Sequence, residues 1–357
     1  MEGLERVTVD PSFWAGRRVL VTGHTGFKGA WLSLWLADMG ARVTGFALPP
    51  QSTPSLFHQA RVAAAINAIE GDLRDARAVR DAVRESEAEI VLHLAAQALV
   101  LDSITDPIGT MATNVMGTAH LLEALREGPN VKTVLVVTSD KVYANDETGT
   151  AFPESFPLGG KDPYSASKAS TELVVRAWRE TYLAKAGVKI ATARGGNVIG
   201  GGDYAAHRIA PDVFRAVEAN ERPVLRMPGA TRPWQHVLDC LSGYLCYAQH
   251  LSSNTTVPLA LNFGPQPGDP ITVGEVAQSM LDALGSTLAI DHRPIPGSIE
   301  MKTLAVDASL ARKTLGWDDR LPGRKALDWT AAWYKRARDG EDPLEITRDQ
   351  TKAYCTA

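Results

Sequence analysis

The chain has 357 residues, 45% hydrophobic and 22% charged, enough for about two structural units and unlike a disordered, collagen-like or coiled-coil composition. With 37 Lys and Arg against 41 Asp and Glu the formal charge is −4, so no overall field favours nucleic acid or an anionic membrane as partner. Cys240, Cys246 and Cys355 form no C-x-x-C pair, and positions 1–16 carry no leader pattern. These features exclude a disulfide framework and a thiolate metal site and make the cytoplasm the expected location.

Arg18-Val19-Leu20-Val21-Thr22 is a β-branched run ending in glycines, and an apolar helical stretch over 31–39 follows until Gly40 stops it. Between them, Gly23-His24-Thr25-Gly26-Phe27-Lys28-Gly29 joins strand to helix. Its glycines permit a tight turn and a close approach of backbone N–H groups to a dinucleotide pyrophosphate. The second strand, Val43-Thr44-Gly45-Phe46-Ala47, runs into Leu48-Pro49-Pro50 with no acidic residue to hold a ribose 2′-hydroxyl. His24 and Lys28 are candidates for an adenosine phosphate or a 2′-phosphate, with solvated loop residues as the alternative. Asp72, in Gly71-Asp72-Leu73 after a further strand, either meets the adenine amino group or caps the next helix.

Ala88-Glu89-Ile90-Val91-Leu92-His93-Leu94 and Thr133-Val134-Leu135-Val136-Val137 complete a set of nearly continuous apolar strands, suited to a parallel sheet buried on both faces. A doubly wound α/β fold follows, with ligands bound beyond the carboxyl ends of its strands. Tyr164-Ser165-Ala166-Ser167-Lys168 opens a helical segment reaching about Tyr182. Spacing of four puts Tyr164 and Lys168 on one face, where the ammonium is expected to lower the phenol's pKa so that it accepts a hydroxyl proton during hydride transfer. From about Gly200, loops rich in Gly, Pro and Arg mark a smaller, substrate-covering region. Cys240 and Cys246 lie on an apolar helical run over 238–248 and read as packing. No H-E-x-x-H or G-x-S-x-G pattern occurs, so metal and esterase chemistry lack their residues.

The G-x-x-G-x-x-G loop, His93-Leu94-Ala95-Ala96-Gln97, Thr113-Asn114-Val115-x-Gly117-Thr118, Tyr164-x-x-x-Lys168 and Arg232-Pro233-Trp234-Gln235-His236-Val237 together resemble the extended short-chain dehydrogenase/reductases that act on nucleotide sugars. Gly23-His24-Thr25-Gly26-Phe27-Lys28-Gly29, Thr138-Ser139-Asp140-Lys141, Asp162-Pro163-Tyr164-Ser165 and Gly196-Asn197-Val198-Ile199-Gly200-Gly201-Gly202-Asp203 look like the CDP-glucose 4,6-dehydratases within that group. The resemblance covers nearly the whole chain. It implies a Rossmann-type NAD-binding domain over 1–197 and 237–266, and a smaller nucleotide-sugar-binding domain over 198–236 and 267–357. NADP is left open as the cofactor.

The activity implied is oxidation of the sugar at C4, elimination of water across C5 and C6, and return of the same hydride to C6. For the redox step the resemblance assigns Tyr164 as base, Lys168 as its partner and nicotinamide-ribose ligand, and Ser139 as a hydrogen-bond partner at O4. Asp140 and Lys141 stand where related dTDP-glucose enzymes carry Asp-Glu and simple epimerases carry small residues. Asp140 is the implied acid for the departing O6, a task that calls for a buried carboxyl. Lys141 is either the C5 base or an electrostatic partner for the enolate. Gly23, His24, Thr25, Gly26, Phe27, Lys28, Gly29, Asp72, Leu73, Leu94, Ala95, Ala96 and Thr113 are the implied cofactor contacts. Gln97, Asn197, Arg208, Arg226, Arg232 and Trp234 are the implied substrate contacts, with Trp234 either stacking on the base or lying in the core.

One stretch departs from the pattern: where the resemblance leads one to expect an arginine after Gln97, the chain has Ala98-Leu99-Val100-Leu101-Asp102-Ser103-Ile104. Homo-oligomerisation through the helices after Thr113 and Tyr164 is a further implication.

Overall fold

The structure is a computed structural model that describes residues 8–356 apart from positions 129, 146, 148, 254, 255, 267, 269, 270 and 294–303. Residues 1–7 of the stretch read above for a leader, and the parts of 267–357 just named, lie outside the described residues. Among these residues no helix is long and apolar enough to cross a membrane.

Six strands carry the first part of the chain: β1 (Arg18–Thr22), β2 (Arg42–Ala47), β3 (Asn67–Glu70), β4 (Ile90–His93), β5 (Thr133–Val137) and β6 (Lys189–Gly195). A seventh, Ala260–Phe263, joins them in a wholly parallel sheet whose spatial order runs from it through β6, β5, β4, β1 and β2 to β3. β4 and β5 are buried throughout, as strands covered by helices on both faces must be. The order reverses between β1 and β4, and that crevice is where an open α/β sheet admits ligands. The helix Phe27–Asp38 starts four residues before the expected stretch, directly on the glycine loop, and Gly40 ends it at φ +83°.

The second part is built from short parallel pairs, Val198–Ile199 with Gln235–His236 and Val224–Leu225 with Asp291–His292, and from the helices Ile209–Glu218, Val273–Ala283 and Arg324–Arg338. The helix Val237–Ser252 buries Cys240 and Cys246 against the sheet. The segment after 267 does not keep to one part. The helix Pro343–Thr356 returns to the first, where Tyr354 meets the edge of Trp35 and hydrogen-bonds Asp239, and Arg348 pairs with Asp38. Three side chains knit the sheet side to the helix Pro163–Trp178 through Glu172: Thr138 and Thr192 donate to opposite oxygens of its carboxylate at 2.6 and 2.8 Å, and Arg194 grips the same carboxylate from Nε and a terminal nitrogen at 3.0 and 2.9 Å.

Candidate active site

The glycine loop meets the end of β4. A Cβ on Gly23, which sits at φ +81°, would lie 2.7 Å from the Ala95 nitrogen, and one on Gly29 would lie 2.0 Å from the Gly23 carbonyl oxygen. Only glycine allows loop, helix and strand to approach this closely. The helix begins at Gly26 with no side chain capping it, so its first N–H groups and the positive end of its dipole face the crevice. A Cβ on Gly26 would meet nothing nearer than 3.4 Å. Such a cradle fits a dinucleotide pyrophosphate. Thr25 closes the loop by donating to the Leu48 carbonyl at 2.8 Å, and Phe27 packs against the core. Leu94 and Ala95 donate from their backbone nitrogens to the Thr22 carbonyl and hydroxyl, and Ala96 continues that half-buried turn.

Beyond β5 the chain turns sharply. Ser139 caps the short turn Asp140–Val142 by accepting from the Lys141 backbone at 3.2 Å, and its hydroxyl donates to Asp140 Oδ1 at 3.0 Å. The helix Pro163–Trp178 is started by Pro163 and capped by Asp162, and it presents Tyr164 to Ser139, whose hydroxyls are hydrogen-bonded. One turn on, Lys168 Nζ donates to the Val137 carbonyl at 3.2 Å. Asp140 is buried, as expected of an acid. Its Oδ1 lies 3.8 Å from Lys141 Nζ, while Oδ2 has no partner.

Electrostatics at this centre differ from the expectation. Burial pushes the Tyr164 phenol up to about 12, with Asp140 adding to the rise and the Ser139 hydrogen bond and Arg208 opposing it. Lys168 supplies no offsetting pull: burial, helped by the Lys28 ammonium, lowers it to about 7, so near neutrality its charge is only partial.

Several other sequence-based expectations change. His24 is buried against Gly45 and Phe57, and burial lowers it to about 4. A neutral imidazole offers no positive charge to a phosphate. Lys28 points into the catalytic cavity, with Nζ 5.6 Å above the Tyr244 ring, so neither side chain serves a 2′-phosphate as a cation there. Asp72 is not a helix cap, a task Asp75 performs; both its oxygens accept from Arg74. Leu73 is buried under Gly117. Gln97 does not line the cavity: its backbone nitrogen donates to Asn114 and its side-chain amide donates to Leu99. Trp234 packs among Ile199, Val276 and Leu327 with its indole N–H given to Ile271, and it also lines the cavity beside Arg232.

The cavity itself is lined by Ser139, Asp140, Lys141 and Tyr164 together with Asn197, Arg208, Arg226 and Arg232. Arg208 pairs with Asp203 at 3.4 Å. Asn197 is half-buried with an unpartnered Oδ1. Where the expected arginine is missing, Leu99, Val100 and Leu101 give an apolar wall, and Ser103 accepts from the Tyr164 backbone at 3.2 Å, tying that turn to the catalytic helix.

Sequence reasoning missed Glu172, though it continues the four-residue spacing of Tyr164 and Lys168 on one helix face. It also undervalued Asn114. That residue lies in the π-helical turn Ala112–Met116 beside Thr113, where it binds Gln97 through both backbone polar groups and donates to Ser167 at 2.8 Å. Among the described residues no group of three or more His, Cys, Asp or Glu is placed to hold a metal.

Residues 19–262 match the NAD dependent epimerase/dehydratase family. A CDP-glucose 4,6-dehydratase of Salmonella typhimurium is 43% identical, over 98% of this chain and 99% of the relative. A dTDP-glucose 4,6-dehydratase of Mycolicibacterium smegmatis is 30% identical, over 92% of this chain and 97% of the relative. The crystal structure of the dTDP-glucose 4,6-dehydratase DesIV of Streptomyces venezuelae, with NAD and TYD bound, superposes with a TM-score of 0.75 at 25% identity, covering 92% of this chain and 99% of that one. A UDP-glucose 4-epimerase of Thermotoga maritima, at 21% identity, shares the fold with a TM-score of 0.78 over 90% of this chain and 99% of that one. A glycine cradle at the sheet's switch point, a buried tyrosine and lysine one turn apart, and these matches along most of the chain lead to one conclusion: the protein is a member of the NAD dependent epimerase/dehydratase family.

Proposed function

We propose that the chain is an NAD-dependent CDP-glucose 4,6-dehydratase, a hydro-lyase that converts CDP-D-glucose to CDP-4-dehydro-6-deoxy-D-glucose. The observation that carries this reading is the meeting, in one cavity, of the Ser139–Tyr164 hydroxyl pair with the buried, half-unpartnered carboxyl of Asp140. The activity named for the 43% identical relative supports it. A redox step alone needs no such acid; elimination does.

NAD, when bound, takes a hydride from C4, returns it at C6 and brings a positive ring into the pocket. The loop Gly23, Thr25, Gly26, Phe27 and Gly29, the turn Leu94, Ala95 and Ala96, and Thr113 would hold it. Tyr164 takes the O4 proton. Burial keeps the phenol protonated against the pull of Ser139 and Arg208, so its service as base depends on positive charge in the filled site. Ser139 hydrogen-bonds O4, and Lys168, fixed on the Val137 carbonyl, holds the ribose. Once C4 is a ketone the C5 proton is acidified. Asp140 then donates its proton to the departing O6, and Lys141 serves at C5 as base or as counter-charge to the enolate. Arg208, Arg226 and Arg232, which line the same cavity, grip the diphosphate, with Asn197 as a further contact.

The reading extends to a cytoplasmic homodimer. The cysteines are all free, and Ile108, Met116 and Leu173 stand exposed at 77%, 52% and 56% on neighbouring helices after Asp106 and Tyr164, an apolar face of the kind a second copy covers.

Purified protein incubated separately with CDP-, dTDP-, UDP- and GDP-glucose, with NAD added or withheld, tests the function. Loss of one water from CDP-glucose, read by mass spectrometry, is expected. A product of unchanged mass but altered stereochemistry would make the protein an epimerase.

A further inference from the structure

Four carboxylates line a cavity whose substrate carries a doubly negative diphosphate, and three have tasks already described or satisfied. Asp140 is the acid. Asp162 caps the catalytic helix, accepting from the backbone and hydroxyl of Ser165 at 2.9 and 2.6 Å. Asp203 pairs with Arg208 and accepts from the Ala205 backbone. The fourth, Asp212, lies in the first turn of the helix Ile209–Glu218, one turn beyond Arg208 and on the lobe across from the sheet. Asp212 is ion-paired with Arg215 and not with any of the arginines that line the cavity, and a carboxylate at the edge of an anion site is best tolerated where it also faces a donor.

We infer that Asp212 selects the nucleobase: its carboxylate accepts from an exocyclic amino group, such as cytosine carries at C4, and disfavours the carbonyl oxygen that uracil and thymine present at the same position. This rests on the substrate reading above and deepens it. Asp212 is steadied on one side by Arg215, itself locked onto the Tyr204 carbonyl at 3.0 Å, and by the His207 backbone N–H. A carboxylate has about four acceptor positions, so these two partners leave capacity for a ligand donor. Pro211 and Val213 flank Asp212 in sequence, and with Pro223 and Leu225 they add apolar lining to the cavity. An acceptor set opposite another acceptor loses a hydrogen bond that the donor-bearing base keeps, which turns a single polar contact into discrimination. The 4-amino group is the edge on which cytosine differs from uracil, and carboxylates accept from it in other recognition settings.

Asp212 is half-exposed and contacts no member of the Ser139–Tyr164–Lys168 group by hydrogen bond, so its replacement should leave the chemical steps intact. The test measures CDP and UDP binding by calorimetry, and kcat and KM for CDP-glucose and UDP-glucose, on wild type, Asp212→Ala and Asp212→Asn. Asp212→Ala should raise KM for CDP-glucose about 10- to 100-fold with kcat little changed. Asp212→Asn, whose carboxamide can turn an N–H toward a carbonyl, should shrink the CDP-over-UDP preference by at least about tenfold. A CDP-to-UDP binding ratio unchanged in both variants would overturn the assignment. Wild-type protein that dehydrates only a uracil- or thymine-bearing sugar would instead overturn the substrate reading, a result visible before any variant is made.

Discussion

Asp140→Asn separates the redox half of the proposed reaction from the elimination. Asparagine keeps the shape and the Oδ1 acceptor that receives the Ser139 hydroxyl at 3.0 Å, so Ser139, Tyr164 and Lys168 should hold their places. What disappears is the capacity to hand a proton to the leaving group from a side chain that is 1% exposed and has one oxygen without a partner. A positioned general acid is worth about 10²- to 10⁴-fold, or about 3–5 kcal/mol of barrier, and that loss should fall on the departure of O6 alone. Folding stability should not drop, because the substitution removes a buried carboxyl whose nearest cation is Lys141 at 3.8 Å. In a single turnover with NAD and CDP-glucose, reduced cofactor followed by its near-ultraviolet absorbance should accumulate while water loss, followed by mass, slows at least about a hundredfold. Water loss at the wild-type rate would refute the acid assignment. Failure to form reduced cofactor would place Asp140 in the oxidation step instead.

Lys141→Met should slow solvent deuterium entry at C5 if the lysine is the base; normal exchange with slower turnover assigns it to the enolate's charge. Glu172→Ala leaves Arg194 buried without its carboxylate and strips two threonine donors of their acceptor, so a loss of about 3–5 kcal/mol is expected in urea titrations, and a change under about 1 kcal/mol would contradict the network's role. For Lys168, the folded value of about 7 lies below the ordinary 10.5, with burial the main cause and Lys28 the second. The fold therefore favours the neutral amine, an advantage complete above about pH 10.5 and lost as pH falls through about 7. Lys168→Met should gain on the cofactor-free wild type over that window, by at most about 5 kcal/mol, and a gap between their unfolding midpoints that stays constant with pH would contradict it. Leu173→Asp on the exposed face should convert a dimer to monomer in sedimentation; an unchanged mass at the dimer value would move the interface elsewhere.

Local patterns carried much of this protein. β1, β2, β4 and β5 were legible because buried parallel strands are continuous runs of β-branched and aliphatic residues, and the glycine loop because turn, strand and helix each mark themselves within a dozen residues. Tyr164 and Lys168 were legible because helical spacing puts them on one face. Only the tertiary structure decided what surrounds them. Glu172 meets Arg194 across a gap of 22 residues, and a helix-to-strand ion pair has no local signature. Desolvation depends on what packs against a group from elsewhere in the chain, so the rise of Tyr164, the fall of Lys168 and the neutrality of His24 lay outside any reading of neighbours in sequence. The same reason governs Lys28, which shares a loop with the pyrophosphate glycines yet turns its ammonium into the catalytic cavity, and Trp234, whose indole N–H is fixed on Ile271 while its ring lies between Val276 and Leu327 at the cavity's edge. Residue types and their spacing set which chemistry is available to this chain; three-dimensional packing sets which of those groups carry charge and which wall of the cavity each one occupies.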